Sequence, residues 1–309
     1  GQLTIAELTQ LQTYSASSLS YNLTDSRSNL LAADNSKLAG AGTVTVNTDD
    51  TLSIANIAAL AAKDGGTDPT YTTITDTAAV LGNNADNAAR MNSKTIVISD
   101  NATAAQYRQA LTNASGNTVS GAIVETSSAA LAAGATLTNA TSVVLKVQSS
   151  DKDFTSTTFQ SEVTGFDLNG QTGVLFNIAD VDNKTITDTA SGGTYFISDT
   201  HANITTASAH DGTDATDPSQ FAKLYNAKEI IVTDYDVTAN AGAGDDLSSF
   251  VTTTTNTSDV NTVISRTDGI SSVVTTDIKI TLSEDTTITD AIGAKLNSVT
   301  KVDLSGADT

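Results

Sequence analysis

The chain has 309 residues, of which 39% are hydrophobic but only 5% aromatic, and its 35 acidic and 15 basic side chains give a formal charge of −20. Nucleic acid and anionic membranes bind proteins mainly through Lys and Arg, so this acidic surface excludes both as partners. The chain has no cysteine, which excludes disulfides, thiolate metal sites and thiol nucleophiles.

The predicted elements recur in a fixed order along the chain. Residues 3–11 and 52–60 share apolar residues at helical spacing, offset by 49 positions, and predict two related helices. A short β-favouring segment that ends in an acidic residue follows each helix, and an Ala-rich segment then predicts a second short helix. A β-branched run ending in acid closes the unit. The acid-terminated segments are residues 21–25, 71–76, 122–125 and 195–199 for the first kind, and 43–49, 95–100, 143–151 and 229–234 for the second.

These recurring sequence segments predict a repeat of about 50 residues, in which the elements follow the order helix, strand, helix, strand. One such unit cannot bury its own apolar face, so copies must stack and share a core. We therefore predict an α/β repeat protein, an elongated right-handed solenoid of roughly 50-residue helix–strand–helix–strand units. The alternatives are a mostly-β solenoid or two β-rich domains.

The repeat also predicts the organisation of the chain. Residues 1–151 contain three regular units, and residues 152–235 form an expanded, divergent unit with a polar insertion at 210–219. A degenerate unit and a partial unit occupy residues 236–309. The sequence begins and ends within the pattern, which we interpret as a segment of a longer protein.

Acidic residues gather at the junctions between units. If the layers stack, their carboxylates fall on one edge and are candidates for binding Ca²⁺ between layers, since Asp oxygens are typical calcium ligands. In a second interpretation, compatible with the first, each acid caps the helix that follows it. The candidate ligands at these junctions are Asp49, Asp50, Asp100, Asp151, Asp153, Asp234 and Asp236.

Catalytic patterns are scarce. The chain has no Gly-x-Ser-x-Gly elbow, P-loop or dinucleotide-binding glycine motif. Asp180 and Asp182 are paired carboxylates that could in principle serve a glycosidase, but the aromatic residues that usually line sugar subsites are few. The two histidines, His201 and His210, lie at variable, polar positions. We predict that the protein is not an enzyme and has no catalytic residues.

The Tyr-x-Ile-x-Asp phrase of residues 21–30, 71–81 and 195–204, with Thr-Val-Thr-Val at 43–46, resembles repeats of giant secreted bacterial surface proteins. These are S-layer-like and RTX-type adhesin chains exported by type I secretion. The segment Ala-Gly-Ala-Gly-Asp-Asp-Leu at 241–247 similarly resembles one RTX nonapeptide, which adds Asp245 and Asp246 to the candidate calcium ligands. The resemblance implies an extracellular, calcium-associated, non-enzymatic module.

We therefore predict a structural repeat segment of a large extracellular bacterial surface protein: a stalk, an adhesin or an S-layer lattice element, stabilised by Ca²⁺. Its expected partners are copies of itself, other cell-surface components or a glycan, with no nucleic acid and no membrane insertion. The alternatives are a glycan- or protein-binding adhesive module in the irregular half and, less favoured, a β-helix enzyme that acts on polysaccharide.

Overall fold

The computed structural model of the chain describes residues 2–14, 19–82, 85–132, 137–200, 203, 223, 226–232, 277–281 and 301–303. The chain divides into two compact units. Unit 1 comprises residues 1–125 and 136–143, and unit 2 comprises residues 126–135 and 144–309.

Unit 1 alternates parallel strands with helices. Its helices are Ile5–Tyr14 (α1), Arg27–Ala32 (α2), Asn35–Ala39 (α3), Ile54–Lys63 (α4), Ala78–Leu81 (α5), Ala85–Met91 (α6) and Ala104–Asn113 (α7). Its strands are Gln2–Leu3 (β1), Tyr21–Asp25 (β2), Ala41–Val46 (β3), Thr73–Asp76 (β4), Thr95–Ala102 (β5) and Val119–Glu125 (β6). The order β1-β2-β3 forms one parallel sheet, and β4, β5 and β6 pair in sequence as parallel strands.

Hydroxyl side chains fix where the long helices of unit 1 begin. The Ser53 hydroxyl accepts from the Asn56 amide at the start of α4, and Asn56 accepts in return from the Ser53 amide. Thr103 and Gln106 form the same reciprocal pair at the start of α7. Each pair satisfies two amides that have no partner within the helix, so the polar residue before each apolar stripe sets the first turn.

The core of unit 1 consists mainly of aliphatic side chains from one face of each element, together with a few buried tyrosines. Leu8, Ile57 and Tyr107 are fully buried at equivalent positions of α1, α4 and α7. The strands alternate buried and more exposed residues, as β2 does over its whole length. Three tyrosines also occupy equivalent places, and the hydroxyls of Tyr21 and Tyr71 donate to the carbonyls of Lys37 and Arg90, as Tyr195 does to Lys223 in unit 2.

Unit 2 has shorter elements. After a 3₁₀ helix at Ser128–Leu131 come β7 (Ala140–Lys146, which begins in unit 1), β8 (Gly165–Asp167), β9 (Val174–Phe176), α8 (Ile178–Val181), β10 (Thr185–Thr187), β11 (Tyr195–Asp199), β12 (Glu229–Val232), β13 (Asp277–Thr281) and β14 (Lys301–Asp303). From β8 to β11, successive strands alternate between two sheets. β8 pairs with β7 and β10, whereas β9 pairs with β11, and β11 continues through β12 and β13 to β14.

The core of unit 2 contains an aromatic cluster. Phe154, Phe166 and Phe176 are fully buried. The ring centroids of Phe166 and Phe176 lie 4.7 Å apart, and Phe159 and Tyr195 extend the cluster at either side. Four of the seven phenylalanines of the chain are therefore gathered in the segment between residues 154 and 176.

The predicted elongated right-handed solenoid is wrong. Residues 5–146 do follow the order helix, strand, helix, strand, but the architecture is a mixed α/β protein with parallel sheets of three, six and five strands, and the described residues form no closed solenoid. One interruption lies between β3 and β4, where the described residues form isolated bridges; the connection there contains Gly65 and Gly66, both at positive φ, and Pro69. A second lies in unit 2, where strands alternate between sheets and do not extend one stack.

Candidate functional site

One contact recurs throughout the described repeats, and we call it the carboxylate clasp. In each clasp the first amide of a helix donates to an acidic side chain that lies 20 to 23 residues further along the chain, at 2.6 to 3.1 Å. The seven pairs are Ile5 with Asp25, Arg27 with Asp50, Ile54 with Asp76, Ala78 with Asp100, Ala104 with Glu125, Ser128 with Asp151, and Ile178 with Asp199.

The clasps form two interleaved series. The acid that ends a strand, such as Asp25, Asp76 or Glu125, accepts from the longer helix α1, α4 or α7. The junction acids Asp50 and Asp100 accept from the short helices α2 and α5. Since a carboxylate favours the positive end of a helix dipole, each repeat stabilises the start of the helix before it.

Strand-ending acids have several donors. One Asp25 oxygen accepts from the Ile5 amide, and the other accepts from the Ser26 amide and the Asn29 side chain. Asp199 has the same three kinds of donor. Burial alone would raise the pKa of Asp25, but the hydrogen bonds from Asn29, Ile5 and Ser26 together hold that pKa below its usual value. The Asp25 carboxylate is therefore a charged part of the fold at neutral pH.

The clasps show that Asp50 and Asp100 contact the helix before them and not the helix that follows. We expected each acid to cap the helix that follows it, but α4 and α7 are capped by Ser53 and Thr103. Asp50 and Asp100 instead reach back to α2 and α5. The sequence did not reveal this direction because an acid that precedes a helix fits either role.

The predicted calcium ligands have different surroundings. Asp50, Asp100 and Asp151 each commit one carboxylate oxygen to a clasp, and one Asp153 oxygen accepts from both the amide and the hydroxyl of Thr155. Asp49 is exposed, beside Asp50 in a cleft of about 520 Å³. Among the described residues, no three acidic or histidine side chains are placed to hold a metal ion. The remaining candidates, Asp234, Asp236, Asp245 and Asp246, lie outside the described residues, as do His201 and His210.

Asp180 differs from the clasp acids. It is the third residue of α8 and is only 7% exposed, and one of its oxygens has no hydrogen-bond partner. Burial raises its pKa to about 7, although the Asn177 amide and Lys184 act in the opposite direction, and the charge of Asp199 adds to the rise. Asp182 is not among the groups that shift this pKa. In the structure, the acidic residue whose charge influences Asp180 is therefore Asp199, whereas the sequence suggested that Asp180 pairs with Asp182.

Unit 2 has an open cleft of about 370 Å³ beside β11. Its lining includes apolar side chains and two lysines. Burial lowers the pKa of one of them, Lys223. The lining residues are Leu168, Ile186, Thr187, Asp188, Gly193, Thr194, Tyr195, Lys223, Asn226 and Lys228.

Asp25, Asp76, Glu125 and Asp199 are functional residues that the sequence did not assign to a site, although each ends a recurring sequence segment. The missing signal was the spacing. Taken with Asp50, Asp100 and Asp151, the first three fall at intervals of 24 to 26 residues. The repeat defined by the clasps is therefore half as long as the repeat predicted from the recurring sequence segments.

No helix in the described part of the chain has the length and hydrophobicity needed to cross a membrane. No family model, curated protein or solved structure matches the chain.

Proposed function

We propose that the protein is a structural repeat segment of a large extracellular bacterial surface protein, as a stalk, adhesin or lattice element. The observation that carries this proposal is the carboxylate clasp. Seven acidic side chains hold helix starts to neighbouring repeats across 20 to 23 residues of chain, so these carboxylates are committed to joining repeats.

The chemistry of the clasp suits a chain without cysteine. A charge-assisted hydrogen bond to a buried or half-buried amide is roughly twice as strong as a neutral one. Repetition of such bonds links consecutive repeats where many secreted domains use disulfides. The formal charge of −20 is compatible with the saline, divalent-rich surroundings of a cell surface, where counterions relieve self-repulsion.

Calcium stabilisation is part of this proposal, and its candidate ligands are Asp234, Asp236, Asp245 and Asp246. Calcium that binds only the folded chain raises its melting temperature. We expect a rise at millimolar Ca²⁺ that is reduced in the Asp245→Asn, Asp246→Asn double variant. Asp50→Asn is the control, because its carboxylate is already engaged by the Arg27 amide.

Cell-surface location can be tested on intact bacteria that encode the chain. Antibodies raised against the purified protein should label unbroken cells, and external protease should remove the label. A cytosolic enzyme probed in the same cells controls for lysis. Labelling that requires permeabilised cells would contradict the proposal.

The open cleft of unit 2 favours a second candidate function, the binding of a glycan. The cleft is lined by both polar and apolar side chains and by Lys223 and Lys228, a combination that suits an acidic sugar. A glycan array probed with the full chain tests this function. Binding to uronic-acid or sialic-acid glycans should fall in Lys228→Ala and persist in Lys152→Ala, a lysine that does not line the cleft.

A further inference from the structure

The cleft beside Asp49, which we call the strand-end cleft, lies at the carboxyl ends of β2 and β3. Parallel α/β sheets commonly bind ligands in crevices outside the carboxyl ends of their strands. The volume of about 520 Å³ also falls within the range of roughly 300 to 1,000 Å³ that small-molecule sites have. The position and the size of this cleft therefore suit a small ligand.

The fold does not use most of the polar side chains that line the strand-end cleft. Four of them take part in no hydrogen bond or ion pair with the described residues: Thr45, Asn47, Thr48 and Asp49. Asp50 commits only one carboxylate oxygen, to the Arg27 amide. Thr24 adds a buried hydroxyl that has no hydrogen-bond partner, which is uncommon in folded proteins. These groups are available to a ligand.

A cleft of about 330 Å³ beside α8 shows the contrast. There the Asn177 side chain accepts from the Asp180 amide, and the Asp199 carboxylate accepts from the Asn203 side chain in addition to its clasp. The polar groups of that cleft hold the fold together, whereas those of the strand-end cleft do not.

The segment that lines the strand-end cleft is longer than its counterpart in the next repeat. Thr45 and Val97 hold equivalent places, because each pairs with the residue before a strand-ending acid. Asp50 comes five residues after Thr45, whereas Asp100 comes three residues after Val97. The additional residues form a turn, in which the Asp50 amide donates to the Asn47 carbonyl at 3.0 Å. This turn supplies most of the polar side chains in the cleft.

The chemistry of the lining selects the class of ligand. None of the described lining residues is basic, and Asp49 and Asp50 are acidic, so an anionic ligand is repelled. Calcium needs about six to eight oxygen ligands, and no three acidic or histidine side chains of the described residues are placed to hold a metal ion. Hydroxyls and an amide both donate and accept, and a carboxylate accepts from two donors. This set fits an uncharged ligand with adjacent hydroxyls.

We propose that the strand-end cleft binds one sugar residue of a neutral polysaccharide. The Asp49 carboxylate accepts from two adjacent sugar hydroxyls, and Thr45 and Asn47 form hydrogen bonds to the remaining ones. The ligand differs in charge from that of the unit 2 cleft, where Lys223 and Lys228 suit an acidic sugar.

This inference rests on the proposed function in that it names a ligand for a surface protein, but the two can fail separately. A chain that labels intact cells and binds no neutral sugar would keep the function and lose the site. A chain that binds neutral sugar and labels only permeabilised cells would do the reverse.

Calorimetric titration of the full chain with neutral oligosaccharides of glucose, mannose, galactose and xylose tests the site. At least one should bind, and Asp49→Ala should weaken that binding at least about tenfold, because it removes a charged acceptor. Asp49 is exposed and contributes no hydrogen bond to the described fold, so the variant should stay folded. Asp34→Ala is the matched control. Asp34 is another exposed acid of unit 1 that does not line the cleft, so binding should persist.

Thr45→Val tests the contribution of the strand. Valine occupies the equivalent position 97, so the variant should fold, and loss of the hydroxyl should weaken binding about threefold or more. Thr43→Val, at an exposed position of the same strand outside the cleft, should bind as the native chain does. Absence of binding at about 10 mM sugar, or binding that Asp49→Ala leaves unchanged, would overturn the proposal. Calcium binding that Asp49→Ala abolishes, without sugar binding, would make this a cation site and would also overturn it.

Discussion

The repeats up to Asp151 and the segment from residue 152 to 199 differ in the side chains that they bury and in how their repeats are joined. The first region buries aliphatic side chains such as Leu23 and Ile57 in thin layers and joins its repeats with clasps at regular intervals. The second buries the phenylalanine cluster and retains one clasp, between Ile178 and Asp199.

Apart from Asp199, two carboxylates of the second region accept hydrogen bonds from turns and loops, whereas the clasp acids of the first region accept from helix starts. Asp188 accepts from the amides of Gly170 and Gly193, each at 2.6 Å, and Asp167 accepts from Asn169 and Thr189. The regions therefore share one device, an acid that satisfies backbone amides, and apply it to different local structure. Where helices become short, aromatic burial replaces part of the regular helix packing.

The largest expected effect is in the aromatic cluster. Phe166→Ala should lower the free energy of unfolding by about 4 kcal/mol, because it removes a fully buried ring and leaves a cavity between Phe154 and Phe176. Urea unfolding followed by circular dichroism measures the loss. Phe196→Ala, at a half-buried ring, is the control and should cost less than half as much. Equal losses would contradict the assignment of the cluster as the core of this region.

Breaking a clasp in the first region should have the next largest effect. Asp25→Ala removes the acceptor of the Ile5 amide, the Ser26 amide and the Asn29 side chain, and should lower the free energy of unfolding by about 3 kcal/mol at pH 7. Asp49→Ala, at an exposed acid, should change it by less than about 0.5 kcal/mol.

The pH dependence of the Asp25 effect has a definite sign. The pKa of Asp25 is lowered in the folded chain, so its contribution to stability is present above the usual value of 3.8 and is lost as the pH falls through the folded-state pKa. The difference between Asp25→Ala and the native chain should therefore shrink in acid. A difference that is constant from pH 7 to pH 2 would argue against a charged clasp.

The comparison also shows what the sequence could predict. Apolar spacing in α4 and α7 and the alternation in β2 indicate these elements directly, because local periodicity reflects which face is buried. The hydrogen-bond donor of each acidic residue could not be predicted from the sequence. Asp50, for example, accepts from an amide 23 residues earlier, and no local sequence pattern indicates that contact. The alternation of β8 to β11 between sheets was equally hidden, because it depends on which strands pair.

Substitution of Asp180 should have a smaller effect on the free energy of unfolding, with the opposite pH dependence. Its pKa is raised from 3.8 to about 7, so the stability that it contributes is complete below about pH 4 and is lost as the pH rises through 7. Asp180→Asn removes a buried charge and should raise the free energy of unfolding by about 2 kcal/mol at pH 8, with little change at pH 4. Asn56 holds the corresponding position of α4, so an amide fits a capping pair of this kind.

Glu7→Gln is the matched control for Asp180→Asn. Glu7 occupies the same position of α1, where it accepts from the Thr4 amide, but it is exposed and these hydrogen bonds lower its pKa. Its neutralisation should not stabilise the chain at pH 8. If both substitutions stabilise the chain alike, the gain reflects the net charge of −20 and not the burial of Asp180.

The smallest effect should come from a capping hydroxyl of the first region. Thr103→Ala removes the acceptor of the Gln106 amide at the start of α7 and should lower the free energy of unfolding by about 1 kcal/mol. Thr112→Ala, near the end of the same helix, removes an exposed hydroxyl that only contacts the Arg108 carbonyl, and should lie within about 0.5 kcal/mol of the native chain. The clasp from Glu125 holds the first amide of α7 in both variants, so the helix should keep its native circular dichroism. A Thr103→Ala loss as large as that of Asp25→Ala would mean that caps, and not clasps, are the main support of these helices.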